Sequence, residues 1–286
     1  MLQPTPPQSS RATPGRRRKI HCWTAGQEST LRSDLYEGLQ AWPMWSTLGW
    51  QDIRQRYRRS VFGPIWITLS TAIFIGALGM IYSRVFHMDL KDYLPFLCVG
   101  LIVWGFISSS VSECCAAFTA SSGIIKQSKI AFSIHVLRAV WRNFIVFTHT
   151  FVIFIPIAFI FGIKPNLATL LAVPGLVLLF LNSIWLGLVV AILSARFYDV
   201  PQIVANLLQV GFFSSPIMWQ ANSLGDSTLM ADLNPIYHLV ELVRAPILGQ
   251  QPDSMSWIIV AGVIAAGFVL ATELFRRTSQ RIVYWI

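Results

Sequence analysis

The sequence predicts an all-α, polytopic membrane protein: six transmembrane helices preceded by an amphipathic interfacial helix. Three observations predict it. First, 54% of the 286 residues are hydrophobic and only 12% are charged, about half the charged fraction of a soluble globular domain. Second, apolar runs of about 20 residues, the length that crosses a bilayer, recur along the chain. Third, basic residues gather beside these runs, chiefly at alternate ends. The net charge of +9 therefore reads as membrane topology, and no nucleic-acid partner is expected.

Residues 1–40 are rich in Pro, Ser and Thr and carry the basic run Arg16–Lys19. No apolar segment follows that run, so it does not read as a cleavable signal peptide. The composition predicts a disordered cytoplasmic tail, its basic run able to touch anionic lipid. Residues 41–286 then form the membrane domain. The stretch Asp52–Trp66, DIRQRYRRSVFGPIW, crowds four arginines ahead of an uncharged run. Trp42, Trp45, Gly49, Ile53 and Tyr57 share one helical face; Gln51, Arg54, Gln55 and Arg58 share the other. This predicts an interfacial helix over Trp42–Ser60. Arg56 falls near the apolar face and must snorkel or find a partner. Gly63-Pro64 marks a bend, and Trp66 suits an interfacial anchor.

Six spans follow, at about Ile65–Val85, Tyr93–Ala116, Phe144–Phe161, Leu170–Leu193, Ile203–Trp219 and Trp257–Phe275. Glu113 lies in the second, where a carboxylate must face the bundle interior, a partner or the interface. A functional role and helix-end packing both fit. The segment Phe118–Arg142 carries Lys126, Lys129, Arg138 and Arg142 and reads as a basic loop holding a short surface helix. Pro156 should kink the third span. Asn182 should hydrogen-bond across helices. Arg196 and Asp199 bracket an aromatic pair and predict a tight turn held by an ion pair. In the fifth span, Ser214, Ser215 and Pro216 should break the helix. Phe212, Phe213 and Trp219 offer flat faces for sugar rings or for lipid. Asn234 followed by Pro235 is a helix-start signal, and Glu241 and Arg244 are spaced to pair. Arg276, Arg277 and Arg281 place the C-terminus on the side of the N-terminus.

The arginine–tyrosine–arginine cluster with Ser60, Gly63 and Trp66 resembles the start of the membrane (permease) subunit of ABC-2 type polysaccharide exporters. The Arg196…Asp199 element, the Ser-Pro-Ile of Ser215–Ile217, and Asn234-Pro235 with Arg244 are similar to that family too. The resemblance runs from about Trp42 to the C-terminus. Such permeases move O-antigen, capsule or teichoic acid chains. The resemblance implies a homodimer with two copies of a separate ABC ATPase subunit, which uses ATP and Mg. The cargo it implies is an undecaprenyl-diphosphate-linked glycan, O-antigen first among the three, crossing the inner (plasma) membrane with both termini cytoplasmic. The loop matching the family's coupling helix contributes Ser121, Ile125, Lys126, Lys129 and Phe132, with Arg196 and Asp199 close to the same contact. Phe212, Phe213, Ser215, Pro216 and Trp219 are the candidate channel wall. Asn234, Pro235, Glu241 and Arg244 belong to two external re-entrant helices. Arg54, Arg56, Tyr57, Arg58, Arg59 and Trp66 are the candidates for receiving the lipid diphosphate; contact with phospholipid headgroups is the other reading of these arginines.

No Gly-rich phosphate loop is present, so the chain is expected to be a transporter subunit and not itself an enzyme. Cys22, Cys98, Cys114 and Cys115 lack metal or disulfide spacing, as do the five histidines. No cofactor of its own is expected. Two other classes stand beside the exporter. One is a secondary transporter using His149, Glu113 or Glu241; the other is a non-transporting scaffold for glycan assembly.

Overall fold

The computed structural model describes residues 30–58, 65–128, 130–220 and 232–286. Among them all regular structure is helical. The chain runs through α1 (Leu31–Gln40), α2 (Trp42–Tyr57), α3 (Ile65–Val85), α4 (Leu90–Cys115), α5 (Ser122–Gln127), α6 (Phe132–Phe151) and α7 (Phe154–Phe161). A short 3₁₀ turn, Leu167–Leu171, leads into α8 (Ala172–Arg196). Then come α9 (Val200–Ser214), α10 (Pro235–Ile247), α11 (Ser254–Thr278) and α12 (Ile282–Trp285).

Among the described residues, five stretches are long and apolar enough to cross a membrane: α3, α4, α6 with α7, the 3₁₀ turn with α8, and α11. The sixth apolar helix, α9, has 15 residues. At 1.5 Å per residue it rises about 22 Å, short of a hydrocarbon core of about 30 Å. Its end falls at the expected breaker: α9 stops at Ser214 and the chain turns through Ser215 and Pro216.

The core sits between α4 and α8, whose most apolar windows are 67% and 56% buried, against 11% for α3. Small residues let these helices approach. Gly187 of α8 faces the Cys114 sulfur and Val136, so the cysteine acts as a small core residue, as expected. Helix α3 rests chiefly on α4 and α6 and turns Ile73, Phe74, Met80 and Ile81 outward.

Two boundaries and one hydrogen bond differ from the sequence reading, and one kink agrees with it. Residues 31–40, grouped with the disordered tail by composition, form α1. Asp34 of that helix accepts hydrogen bonds from the backbone N–H groups of Phe132 and Ser133, both at 2.8 Å. It thereby caps α6 from 98 residues away, a tertiary contact that local composition does not encode. The basic segment read as a loop up to Arg142 is helical from Phe132, because carboxylates on other helices neutralise its arginines. Pro156 does interrupt the third crossing: its missing N–H and its ring disrupt the turn at Val152 and Ile153, and α7 starts anew at Phe154. Asn182 does not reach across helices; its side-chain oxygen accepts from Trp185 Nε1 on the same helix at 3.1 Å.

Candidate functional site

Helix α2 lies directly on α6 because Gly49 has no side chain there. A Cβ at that position would approach Trp141 at 3.0 Å and the Arg138 carbonyl oxygen at 3.3 Å. Trp45 meets Trp141 edge-on at 5.7 Å and donates from Nε1 to the Gly38 carbonyl. Gly49 and Ile53 are buried and Trp45 and Tyr57 partly so, as the face pattern predicts; Trp42 is exposed.

This close approach brings five charged groups together. Arg138 forks onto Asp52, Nε to Oδ2 at 2.8 Å and Nη2 to Oδ1 at 2.5 Å. Arg142 donates from Nη1 to Asp52 and from Nε and Nη2 to Glu113 of α4. Asn143 adds a 2.6 Å bond to Glu113. Arg56 completes the set, its Nη2 2.9 Å from Glu113 Oε1. The partner that Arg56 needed is therefore Glu113, and Glu113 has its bundle-facing role. Three arginines against two carboxylates leave one net positive charge. That charge is concentrated toward Arg56, whose side chain keeps 49% of its exposure. Arg54 and Arg58 are exposed beside it. Burial alone would push the Asp52 carboxyl up, but Arg138 and Arg142 outweigh it and hold the group below its ordinary 3.8. Tyr57 is the odd member: its hydroxyl is buried without a hydrogen-bond partner among the described residues. Trp66 is largely exposed at the start of α3. Arg59 lies outside the described residues, as does the Gly63-Pro64 bend.

At the same end of the bundle lies the loop expected to couple. Its helix is α5. Ser121 and Ile125 are buried and anchor it, while Lys126 is exposed; Lys129 lies outside the described residues. Phe132 faces inward, edge-on to Phe118 and Phe275 at 5.6 and 6.0 Å. The C-terminal helix α12 packs on both α5 and α8, so the Arg196 corner belongs to this region. The ion pair expected there is absent: no salt bridge joins Arg196 to Asp199. Arg196 instead lies 5.0 Å from the Phe197 ring centroid and 5.4 Å from that of Trp285, a cation–π arrangement that uses a C-terminal aromatic distant in sequence.

At the opposite end, Asn234 accepts from the Ile236 N–H, capping α10 with Pro235 in its first turn. Its amide nitrogen donates to Ser215 Oγ at 2.9 Å and to the Ser214 carbonyl. Arg244 is 2% exposed. It donates twice to Glu241 Oε2 and once to the Pro216 carbonyl, and its guanidinium lies 3.8 Å above the centre of Phe96. Helix α10 occupies the segment where two re-entrant helices were expected; residues 221–231 of that segment lie outside the described residues.

Two of the candidate wall residues prove to be joints. Ser215 and Pro216 are buried and tie α9 to α10. Phe213 is 65% exposed; Phe212 packs on Trp104 at 5.9 Å, and Trp219 donates to the Phe213 carbonyl. Sequence reasoning missed the feature beside them. Gln202, Asn206, Gln209 and Phe213 are all exposed, at spacings of four, three and four, so one stripe of α9 carries three amides. Period reading applied to the amides, and not only to the apolar residues, would have found it.

The ABC-2 type transporter family model matches residues 44–248. The chain belongs to that family. Curated proteins similar to it include an O-antigen export system permease protein RfbA of Klebsiella pneumoniae. It is 23% identical over 236 residues, covering 80% of this chain and 91% of the relative. A protein of the same name from Myxococcus xanthus is 25% identical over 235 residues, covering 80% and 90%. This ABC-2 chain is thus a multi-pass membrane permease subunit, and its all-helical architecture fits.

Proposed function

We propose that this chain is the channel-forming subunit of an ATP-driven exporter of lipid-linked polysaccharide, with O-antigen as the first choice of cargo. The observation that carries this reading is the amide stripe of α9. Three amides on an apolar helix are unfavourable against lipid, yet α9 packs on α4, α8 and the start of α10 and leaves that face exposed on the single chain. A water-filled path between two copies of the chain, wide enough for a hydroxyl-rich polymer, resolves the conflict. Amides and the Phe213 ring then supply many weak contacts in series, which suits a threading polymer better than one deep pocket. The export function named in the curated relatives supports the cargo.

The arginines at the α2–α4–α6 junction support a place for the anionic end of such a cargo. The net positive charge there, with Arg54, Arg56 and Arg58 exposed, suits a lipid diphosphate arriving at the inner face. Helix α5, with the Arg196 corner, is the proposed contact for a nucleotide-binding partner, two copies of which would serve the homodimer and use ATP and Mg. Both termini then face the cytoplasm, and the membrane is the inner one. A proton-coupled mechanism draws less support, because Glu113 and Glu241 are both engaged by arginines.

Deleting the chain should trap lipid-linked polymer inside the cell, read by comparing intact with permeabilised cells using a glycan-specific probe. Normal surface polymer would exclude export. Loss of polymer synthesis itself would favour the scaffold. In vesicles holding the chain and its partner ATPase, transport should stop without ATP; transport that persists on a proton gradient alone would overturn the motor.

A further inference from the structure

The end of the bundle opposite the termini holds a cavity of about 410 Å³ between the start of α4 and α10. That is within the range of about 300–1,000 Å³ for small-molecule sites. Helix α10 turns Tyr237, Glu241 and Arg244 into it, spaced four and three residues apart on one face; α4 supplies Lys91, Asp92 and Phe96 from the other side. We propose that this cavity is a second carbohydrate site, one that holds a neutral sugar unit apart from the path along α9. It rests on the export reading above, because only an exporter of glycan brings that ligand to this end of the molecule.

The charges decide the ligand class. Two cations and two carboxylates line the cavity, so it has no net preference for an anion or a cation. Arg244 is already committed: its donors go to Glu241 and to the Pro216 carbonyl, and its flat face covers Phe96. A phosphate would meet two carboxylates beside Lys91 and a guanidinium already neutralised by Glu241. A sugar asks for different groups. Both Arg244 bonds to Glu241 fall on Oε2, which leaves Oε1 without a hydrogen-bond partner among the described residues and able to accept from a ring hydroxyl. Asp92 and Lys91, exposed at the rim, offer an acceptor and a donor side by side. Tyr237, half-buried, offers a ring for the apolar C–H side of a pyranose and a hydroxyl at its edge. The Arg244 fork fixes Glu241 in place before any ligand arrives, which lowers the ordering cost of binding.

The test uses the full chain in nanodiscs with its partner ATPase. The probes are the methyl glycosides of mannose, galactose and rhamnose, with inorganic phosphate as the charged control. Saturation-transfer NMR should show at least one glycoside bound. Tyr237→Ala and Asp92→Asn should each weaken it by roughly three- to tenfold, the loss of one or two modest contacts, while Ile73→Ala on the outward side of α3 leaves it unchanged. Asp92 is exposed, so its variant keeps the fold even if Tyr237→Ala does not. The proposal is overturned if no glycoside binds. It is equally overturned if binding ignores both cavity substitutions, or if phosphate occupies the cavity in preference to the sugars. Surface polymer in the deletion strain reads the export function separately, so a failed cavity and a failed exporter give different results.

Discussion

Arg142 grips Glu113 with two nitrogens, Nε and Nη2 lying 2.9 and 2.6 Å from Oε2. With its third nitrogen it holds Asp52, so one side chain ties α2, α4 and α6 together. Removing it leaves both carboxylates short of a partner in a partly buried site. Arg142→Ala should therefore cost about 1–3 kcal/mol, less than a fully buried pair because Arg56, Arg138 and Asn143 remain. Denaturant unfolding followed by tryptophan fluorescence measures it. The Glu113→Ala, Arg142→Ala double variant should lose less than the sum of the singles. Additivity within about 0.5 kcal/mol would mean that the two residues are not coupled.

Asp52 and Asp34 should give stability opposite slopes with pH. Asp52 is held below its ordinary 3.8 by its arginines, against the effect of burial. Its contribution is present above 3.8 and disappears as pH falls through the lower folded value. Asp34 is raised from 3.8, first by burial, against the hydrogen bonds of Ser133 and Phe132. Its protonated form favours folding below 3.8, and that contribution is lost as pH rises through the higher folded value. Asp52→Asn should flatten the acid limb of the stability profile, and Asp34→Asn should remove the decline above it. Profiles of either variant parallel to the unaltered chain would refute the assignment.

Gly175 of α8 lies against the backbone of α10, where a Cβ would overlap the Leu242 carbonyl oxygen. Backbone cannot swing aside as a side-chain tip can, so Gly175→Ala should displace α10 and cost about 1–3 kcal/mol. Gly262→Ala on α11, where a Cβ meets nothing within 4 Å, is the matched control and should be neutral. Faster amide exchange along α10 in the first variant alone checks it.

The amide stripe separates a channel from a lipid-facing surface. Replacing Asn206 and Gln209 together by Leu should leave the amount of membrane-inserted protein unchanged or higher, since two unfavourable groups leave the membrane. Surface polymer, measured by glycan-specific labelling, should fall by about an order of magnitude if each amide contributes about 0.5–1 kcal/mol to passage. Unchanged export would place that face against lipid or in a packed interface.

The spans and their breaks were legible because they follow from length, hydropathy and proline chemistry. The span at about Ile65–Val85 is found as α3, and the Asn234 cap and the Glu241–Arg244 pair follow from spacing within one helix. What escaped involves partners far apart in sequence. Arg138 and Arg142 looked like loop charges because Asp52 and Glu113, which neutralise them, belong to other helices. Arg196 has its natural partner, Asp199, three residues away, but the chain places it against Trp285. Asp34 sits in a stretch whose neighbours read as disordered, and only the fold reveals the helix end it serves.

That last contact constrains how the protein is made. Joining Asp34 to Ser133 encloses α2 through α5 in a single loop of 99 residues. When α1 leaves the ribosome it has nothing to bind, and its receptor arrives only after α3 and α4 have crossed the membrane and returned. Helix α1 is thus a late-docking clasp, synthesised ahead of its receptor and fastened only once the first hairpin has been completed.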